Sequence, residues 1–300
     1  MFNDLRRTLA VKRFDWQCRG ILRTPPLRLR TAPIRVVSMV RTEHLRMYLL
    51  SIKSFYRHLP GGQVIVMDDG SLTATDKALL AQHVEGLEIM RLDSIRTDPC
   101  PRGGCWERLL YILDLSADSY VVQLDSDILT SGPIPEVMSA VAGNTAFTLN
   151  SGQGMGIVSL EEAAALVAQL DPKYLQTRIE QALPQLPPDA GGRRYVRGSA
   201  GFAGFPRGLY TRAAAVAYSN AMQGLLGARW SDWGTEQTAS NYLVANAPGG
   251  VVLPWPRYAC FDESVDPAKA DLLHFVGSWR FDRGAYAAKA RRVIAELAAG

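Results

Sequence analysis

Cysteine and histidine are scarce, with four of each in 300 residues. Cys18, Cys100, Cys105 and Cys260 are too few and too scattered for a disulfide framework in a chain of this size, so reduced thiols are expected. Cys100-Pro-Arg-Gly-Gly-Cys105 has no second cysteine or histidine pair nearby, which argues against a zinc site. Long apolar runs are lacking too. No segment approaches the roughly 20 uncharged residues that cross a bilayer, and the first residues hold no continuous apolar stretch of signal-peptide type. A cytoplasmic location is the expectation. The net charge of +4 is far from the concentrated basic surface of a nucleic-acid binder. What remains, 47% hydrophobic and 21% charged, describes a globular chain able to bury a large core.

The basic excess is local. Residues 1–30 carry Arg6, Arg7, Lys12, Arg13, Arg19, Arg23, Arg28 and Arg30 against Asp4 and Asp15, interleaved with Phe2, Leu5, Leu9, Phe14, Trp16, Ile21 and Leu22. Such a mixture suits peripheral contact with an anionic membrane surface, and equally a solvated extension packed on its own domain or on a partner subunit.

Farther along, strands and helices alternate. Ile34 to Val40 and Val64 to Met67 read as buried strands, with a helix over Leu45 to Leu59 between them that stops at Pro60-Gly61-Gly62. Thr75 to Val84 predicts a helix, Leu87 to Leu92 a strand, Trp106 to Leu115 an amphipathic helix and Tyr120 to Leu124 a strand. Uninterrupted apolar strands between helices argue for a parallel sheet covered on both faces. Sites in such sheets lie at the carboxyl ends of strands. Asp68-Asp69-Gly70-Ser71 and Asp125-Ser126-Asp127 both fall there. After about residue 130 the strands shorten (Ala146 to Leu149, Val251 to Leu253), helices are expected over Leu160 to Leu170 and Arg212 to Gln223, and Pro184 to Gly192 reads as a loop.

Two carboxylates one residue apart at a strand end, Asp125 and Asp127, can both reach a hard divalent cation, although solvated strand-end carboxylates look the same in sequence. Near the C-terminus, His274-Phe-Val-Gly277-Ser-Trp-Arg280 spaces an imidazole, a glycine and a cation three apart. A neutral His274 can be a third ligand, Gly277 lets backbone approach a phosphate, and Arg280 can pair with a diphosphate. The other reading of His274 is a packed residue after Leu272-Leu273. Asp68 or Asp69 is expected to face a nucleotide, or to bond its own turn before Gly70. Arg108 reads as a phosphate or sugar clamp or as a surface ion pair. In Trp230-Ser-Asp232-Trp233, indoles can stack on sugar rings while the carboxylate accepts hydroxyl bonds, or the indoles belong to the core.

With these residues in place the chain resembles glycosyltransferases of the GT-A fold, most closely family 8, the glycogenin and bacterial galactosyltransferase type. That family pairs an Asp-x-Asp with a C-terminal His-x-x-Gly-x-x-Lys, matched by Asp125, Asp127, His274 and Gly277, with Arg280 in the lysine's place. Its Arg-Leu before the metal strand is matched by Arg108-Leu109. Its Asp-Gln-x-x-x-Asn resembles Glu236-Gln237-Thr-Ala-Ser-Asn241, and Gly198-Ser-Ala-Gly201-Phe202 is similar to the small-residue strand that lines its donor sugar. Asp68-Asp69-Gly70-Ser71 looks more like family 2, and Phe281-Asp282 replaces family 8's Pro-Trp.

The resemblance implies an α/β GT-A (Rossmann-like) fold: a mostly parallel central sheet flanked by helices, with a smaller mixed acceptor-side sheet. It divides the chain into the extension at 1–30, a nucleotide-sugar-binding half at 31–130, an acceptor-side half at 131–282 and a C-terminal helix at 283–300. It implies Mn2+ or Mg2+, a nucleotide-sugar donor with UDP by analogy, a glycan or glycolipid acceptor, Glu236 and Gln237 at the reacting carbon, and work in bacterial surface polysaccharide or glycoconjugate synthesis. Retention follows family 8; Glu236 acting as a general base would invert. A catalytically inactive glycan-binding scaffold is the main alternative. Haloacid dehalogenase phosphatases also open on strand plus Asp-x-Asp, but want Thr or Val where Leu129 stands. A nucleotidylyltransferase would carry a glycine-rich loop where Val40-Arg-Thr-Glu-His44 stands.

Overall fold

The computed structural model describes residues 2–152, 156–187 and 192–299, with side chains from Arg7 onward. Of the N-terminal residues named above, the side chains of Phe2, Asp4, Leu5 and Arg6 lie outside the described residues, as do positions 188–191 of the loop expected at Pro184 to Gly192. The architecture is the mixed α/β one that alternating strands and helices imply. Among the described residues its main sheet has seven strands: β1 (Ile34–Val40), β2 (Gln63–Asp68), β3 (Glu88–Arg91), β4 (Tyr120–Leu124), β5 (Phe147–Asn150), β6 (Gly198–Phe205) and β7 (Val251–Val252). Their order is β7-β5-β6-β4-β1-β2-β3. The pairs β1–β2, β2–β3 and β5–β7 are parallel and β5–β6 is antiparallel. The chain forms two compact units that interleave along the sequence rather than follow one another: 1–91 with 123–138 and 256–300, and 92–122 with 139–255.

In the first unit, β1 and β2 register Val36 on Val64 and Val37 on Ile65, and all four side chains are buried, as expected of a strand without alternation. The helix between them, Leu45–Tyr56, buries eleven of its twelve residues. One of these is Lys53, whose ammonium donates to Thr24 Oγ1 (2.9 Å) and to the Pro25 carbonyl (2.7 Å), so the amine enters the core only with its donors satisfied. Burial pushes its pKa down to about 8. The N-terminal helix Phe2–Gln17 lays Phe14 on Tyr286 of the C-terminal helix Ala285–Ala299, with ring centroids 4.6 Å apart. The extension thus packs on its own unit. A second, three-stranded sheet joins Tyr258–Cys260, Leu272–His274 and Ile128–Thr130; it is the smaller mixed sheet, and it belongs to this unit.

The second unit is built on an aromatic cluster. Trp230 meets Trp106 at 5.9 Å and Tyr218 at 5.8 Å, both edge to face. Each indole N–H has a hydroxyl acceptor: Trp106 donates to Thr235 (2.9 Å) and Trp230 to Ser219 (2.8 Å). The small residues of β6 have a packing reason. A Cβ on Gly204 would stand 2.3 Å from the Phe147 ring, and one on Gly198 would stand 2.4 Å from Thr148 Oγ1.

Candidate metal and phosphate site

Strand β4 delivers the two acids and the small sheet delivers the imidazole. Antiparallel pairing sets His274 opposite Ile128, the residue after Asp127, and the Phe275 N–H donates to the Asp127 carbonyl at 3.1 Å. The 146 positions between Asp127 and His274 are therefore bridged by backbone register, not by side-chain chance. Ser51 Oγ holds the Asp125 carbonyl at 2.9 Å from the buried helix.

The result is one cluster. Ligand-capable atoms of Asp125, Asp127 and His274 all lie within 4.8 Å of one another. His274 Nε2 is 3.2 Å from Asp127 Oδ1 and 3.9 Å from Asp125 Oδ2, while Nδ1 turns to Cys260 Sγ at 3.9 Å. Arg280 Nε donates to Asp127 Oδ2 at 2.6 Å. Gly277 has φ +61 and opens the 3-10 turn Gly277–Arg280 that turns Arg280 toward Asp127, so the glycine serves a left-handed bend. Asp127 is 1% exposed, and such burial alone would raise its pKa; the charges of His274 and Arg280 overcome it and hold the carboxyl well below the usual range. His274 shows the converse: burial favours the neutral ring, but the adjacent Asp127 carboxylate lifts its pKa well above the ordinary value. Two carboxylates and an imidazole on one point suit a divalent cation of the manganese type, which accepts oxygen and nitrogen donors together.

At the end of β2 the two acids part company. Asp68 is fully buried, accepts from the Gly70 and Leu72 N–H groups and pairs with Lys77 at 2.9 Å. Burial opposes its ionisation, but Lys77 and the backbone donors win and depress its pKa. Of the two readings given for this pair of acids, the geometry at Asp68 is the one in which the acid bonds its own turn. Asp69 stays at the surface, where it accepts from the Ser71 N–H at 3.0 Å and lies 3.1 Å from Arg41, so it too bonds the turn. Arg41 and the buried His44, whose pKa burial lowers and Arg280 lowers further, were missed in the sequence. The available signal was their place after the carboxyl end of β1.

The remaining candidates belong to the second unit. Arg108 and Glu236 are buried and 3.5 Å apart, so the surface pair considered for Arg108 is a buried one. Gln237 Nε2 donates to Gln176 Oε1 (3.4 Å), and Gln176 Nε2 to Glu180 Oε1 (2.9 Å); Glu180 is buried and faces Arg197 at 3.0 Å. This chain of amides anchored on a carboxylate was also missed, because Gln176 and Glu180 lie about 60 residues before Gln237. Trp230 is 0% exposed and packs in the core, the second of the two readings given for it. Asn241 is likewise buried and donates to the Gly198 carbonyl at 3.1 Å, a brace between helix Thr235–Ala245 and β6 rather than a sugar ligand. Gly201 sits within buried β6. Trp233, at 78% exposed, and Asp232, paired with Arg229 at 3.2 Å, remain accessible.

No family model matches the chain, and no curated protein matches it. Among solved structures it is similar to the galactosyltransferase LgtC in complex with donor and acceptor sugar analogs, at 13% identity and TM-score 0.48, over 88% of this chain and 95% of that one. It is similar to the bifunctional glycosyltransferase WbbM in its apo structure, at 13% identity and TM-score 0.46, over 87% of this chain and 49% of that one. A third similarity is to core-mannan synthase A from Aspergillus fumigatus in a Mn/GDP form, at 10% identity and TM-score 0.40, over 71% of this chain and 69% of that one.

Proposed function

We propose that this chain is a metal-dependent glycosyltransferase that moves a sugar from a nucleotide diphosphate, UDP by the sequence resemblance, to a hydroxyl of a glycan or glycolipid acceptor. The observation that carries this reading is the shared focus of Asp125, Asp127 and His274 with Arg280 beside it. A divalent cation held by those three side chains would supply Lewis-acid neutralisation of the departing diphosphate. Arg280 binds Asp127 through Nε, which leaves its terminal N–H groups to receive phosphate oxygens in a forked, charge-assisted geometry. Asp69, oriented by Arg41, accepts from the nucleoside. Glu236 and Gln237 take the reacting-centre roles that the resemblance implies, with retention if Gln237 only supports the anomeric carbon and inversion if Glu236 deprotonates the acceptor.

No helix among the described residues is long and apolar enough to cross a membrane. Placement at the inner face of a bacterial membrane, in surface polysaccharide or glycoconjugate synthesis, is part of the same proposal. The test is donor hydrolysis across UDP-, GDP- and CMP-sugars with and without manganese, the released sugar's anomer being followed by NMR. Manganese-stimulated release from one nucleotide class is the expected result. Hydrolysis of none of them, or equal rates after chelation, contradicts the reading.

A further inference from the structure

The N-terminal helix does more than pack. Its inner side chain Phe14 is buried, and Cys18 and Ile21, just past the helix, are buried as well. Its outer face carries Leu9 (58% exposed), Lys12, Arg13 and Trp16 (63% exposed), which spacings of three, four and seven place together. The Arg19 guanidinium lies 4.3 Å over the Trp16 ring. Asp15, the helix's other charge here, faces Arg46 at 3.8 Å. Anchoring and exposed apolar residues are therefore separate sets, and the exposed set is flanked by cations.

Between this helix and the segment 280–287 lies a cavity of about 480 Å3. Leu9, Phe14 and Phe281 give it apolar walls, and its lining residues include Arg13, Arg280 and Arg283 and no acidic residue. Arg280 is engaged by Asp127 and Arg283 by Glu263, whereas Arg13 has no ion-pair partner among the described residues. Concentrated positive charge beside apolar walls, on a helix that exposes a leucine and an indole, matches a ligand with a phosphate on an apolar tail. We propose that this cavity receives the headgroup phosphate of an anionic membrane lipid, with Arg13 as its principal contact and Leu9 and Trp16 resting at the acyl boundary. The site extends the proposed membrane placement; it shares Arg280 with the proposed donor site, while Arg13, Leu9 and Trp16 belong to it alone.

Co-sedimentation of the full chain with phosphatidylglycerol and with phosphatidylcholine vesicles tests it. Binding to the anionic vesicles alone is expected, weakened about tenfold or more by Arg13→Glu, since each cation near such a surface contributes on that scale. Trp16→Ser is expected to weaken binding as well, and as an exposed substitution it leaves the fold in place. Donor hydrolysis in vesicle-free solution is expected to be unchanged in Arg13→Glu, so a failure of the catalytic reading and a failure of this one are read separately. Equal binding to both vesicle types overturns the proposal, as does an Arg13→Glu chain that binds as before. Tight, Arg13-dependent calorimetric binding of inorganic phosphate or UDP, without vesicle binding, overturns it too by assigning the cavity to a soluble anion.

Discussion

Asp127→Ala is expected to reduce manganese-stimulated donor hydrolysis by about a thousandfold or more, because a bound cation contributes several kcal/mol of charge stabilisation on the leaving group. Asp127 is the buried acid of the cluster, and it is the one that both His274 and Arg280 address. Its loss removes a ligand and also sets two cationic partners against each other, so the alanine variant should lose stability on the scale of a broken buried pair, about 3–5 kcal/mol. Asp127→Asn keeps the shape and one acceptor oxygen. It should melt closer to wild type while remaining as inactive as the alanine variant, which separates ligand loss from unfolding. Comparing manganese titrations of hydrolysis with thermal melts of both variants checks this; near-normal stimulated turnover in either would remove Asp127 from the site.

The second large effect is expected from Arg108 and Glu236. Both side chains are about 5% exposed or less, and their charged ends are 3.5 Å apart. Glu236→Leu or Arg108→Leu alone leaves a buried charge short of its partner, at about 3–5 kcal/mol. The double variant replaces the pair by apolar volume and should recover much of that loss, giving a favourable coupling in a urea-denaturation cycle. Additive single costs would mean that the pair is not a unit. Activity gives a different readout: Glu236→Gln is expected to lower turnover more than it raises KM if Glu236 acts at the reacting carbon.

Local patterns carried much of the architecture. Short runs rich in valine and isoleucine or other apolar residues identified β1, β2 and β4, and the helices Trp106–Leu115 and Arg212–Leu226 sit where apolar spacing put them. Asp125, Asp127, His274 and Arg280 were legible as candidates because two short motifs, neither distinctive alone, occur together in the order the resemblance requires. Which of two adjacent acids would be buried was not legible: both accept backbone N–H groups of the turn, but Asp68 ends β2 with its side chain inward, while Asp69, one residue on, points out. The two readings of Trp230 stayed open for a related reason. An indole suits a sugar platform and a core equally, and only the packing of Trp106 and Tyr218 against Trp230 decides between them. The interleaving of the units was out of reach as well. It follows from Leu272–His274 pairing with Ile128–Thr130, a long-range register that no local pattern encodes.

Diffraction from a crystal soaked with manganese, recorded at the manganese absorption edge, addresses the central claim most directly. One anomalous peak is expected in contact with Asp125, Asp127 and His274 Nε2, at ordinary oxygen and nitrogen coordination distances. A well-soaked crystal with no peak there, or with those three side chains bound to no ion while manganese sits elsewhere, would contradict it.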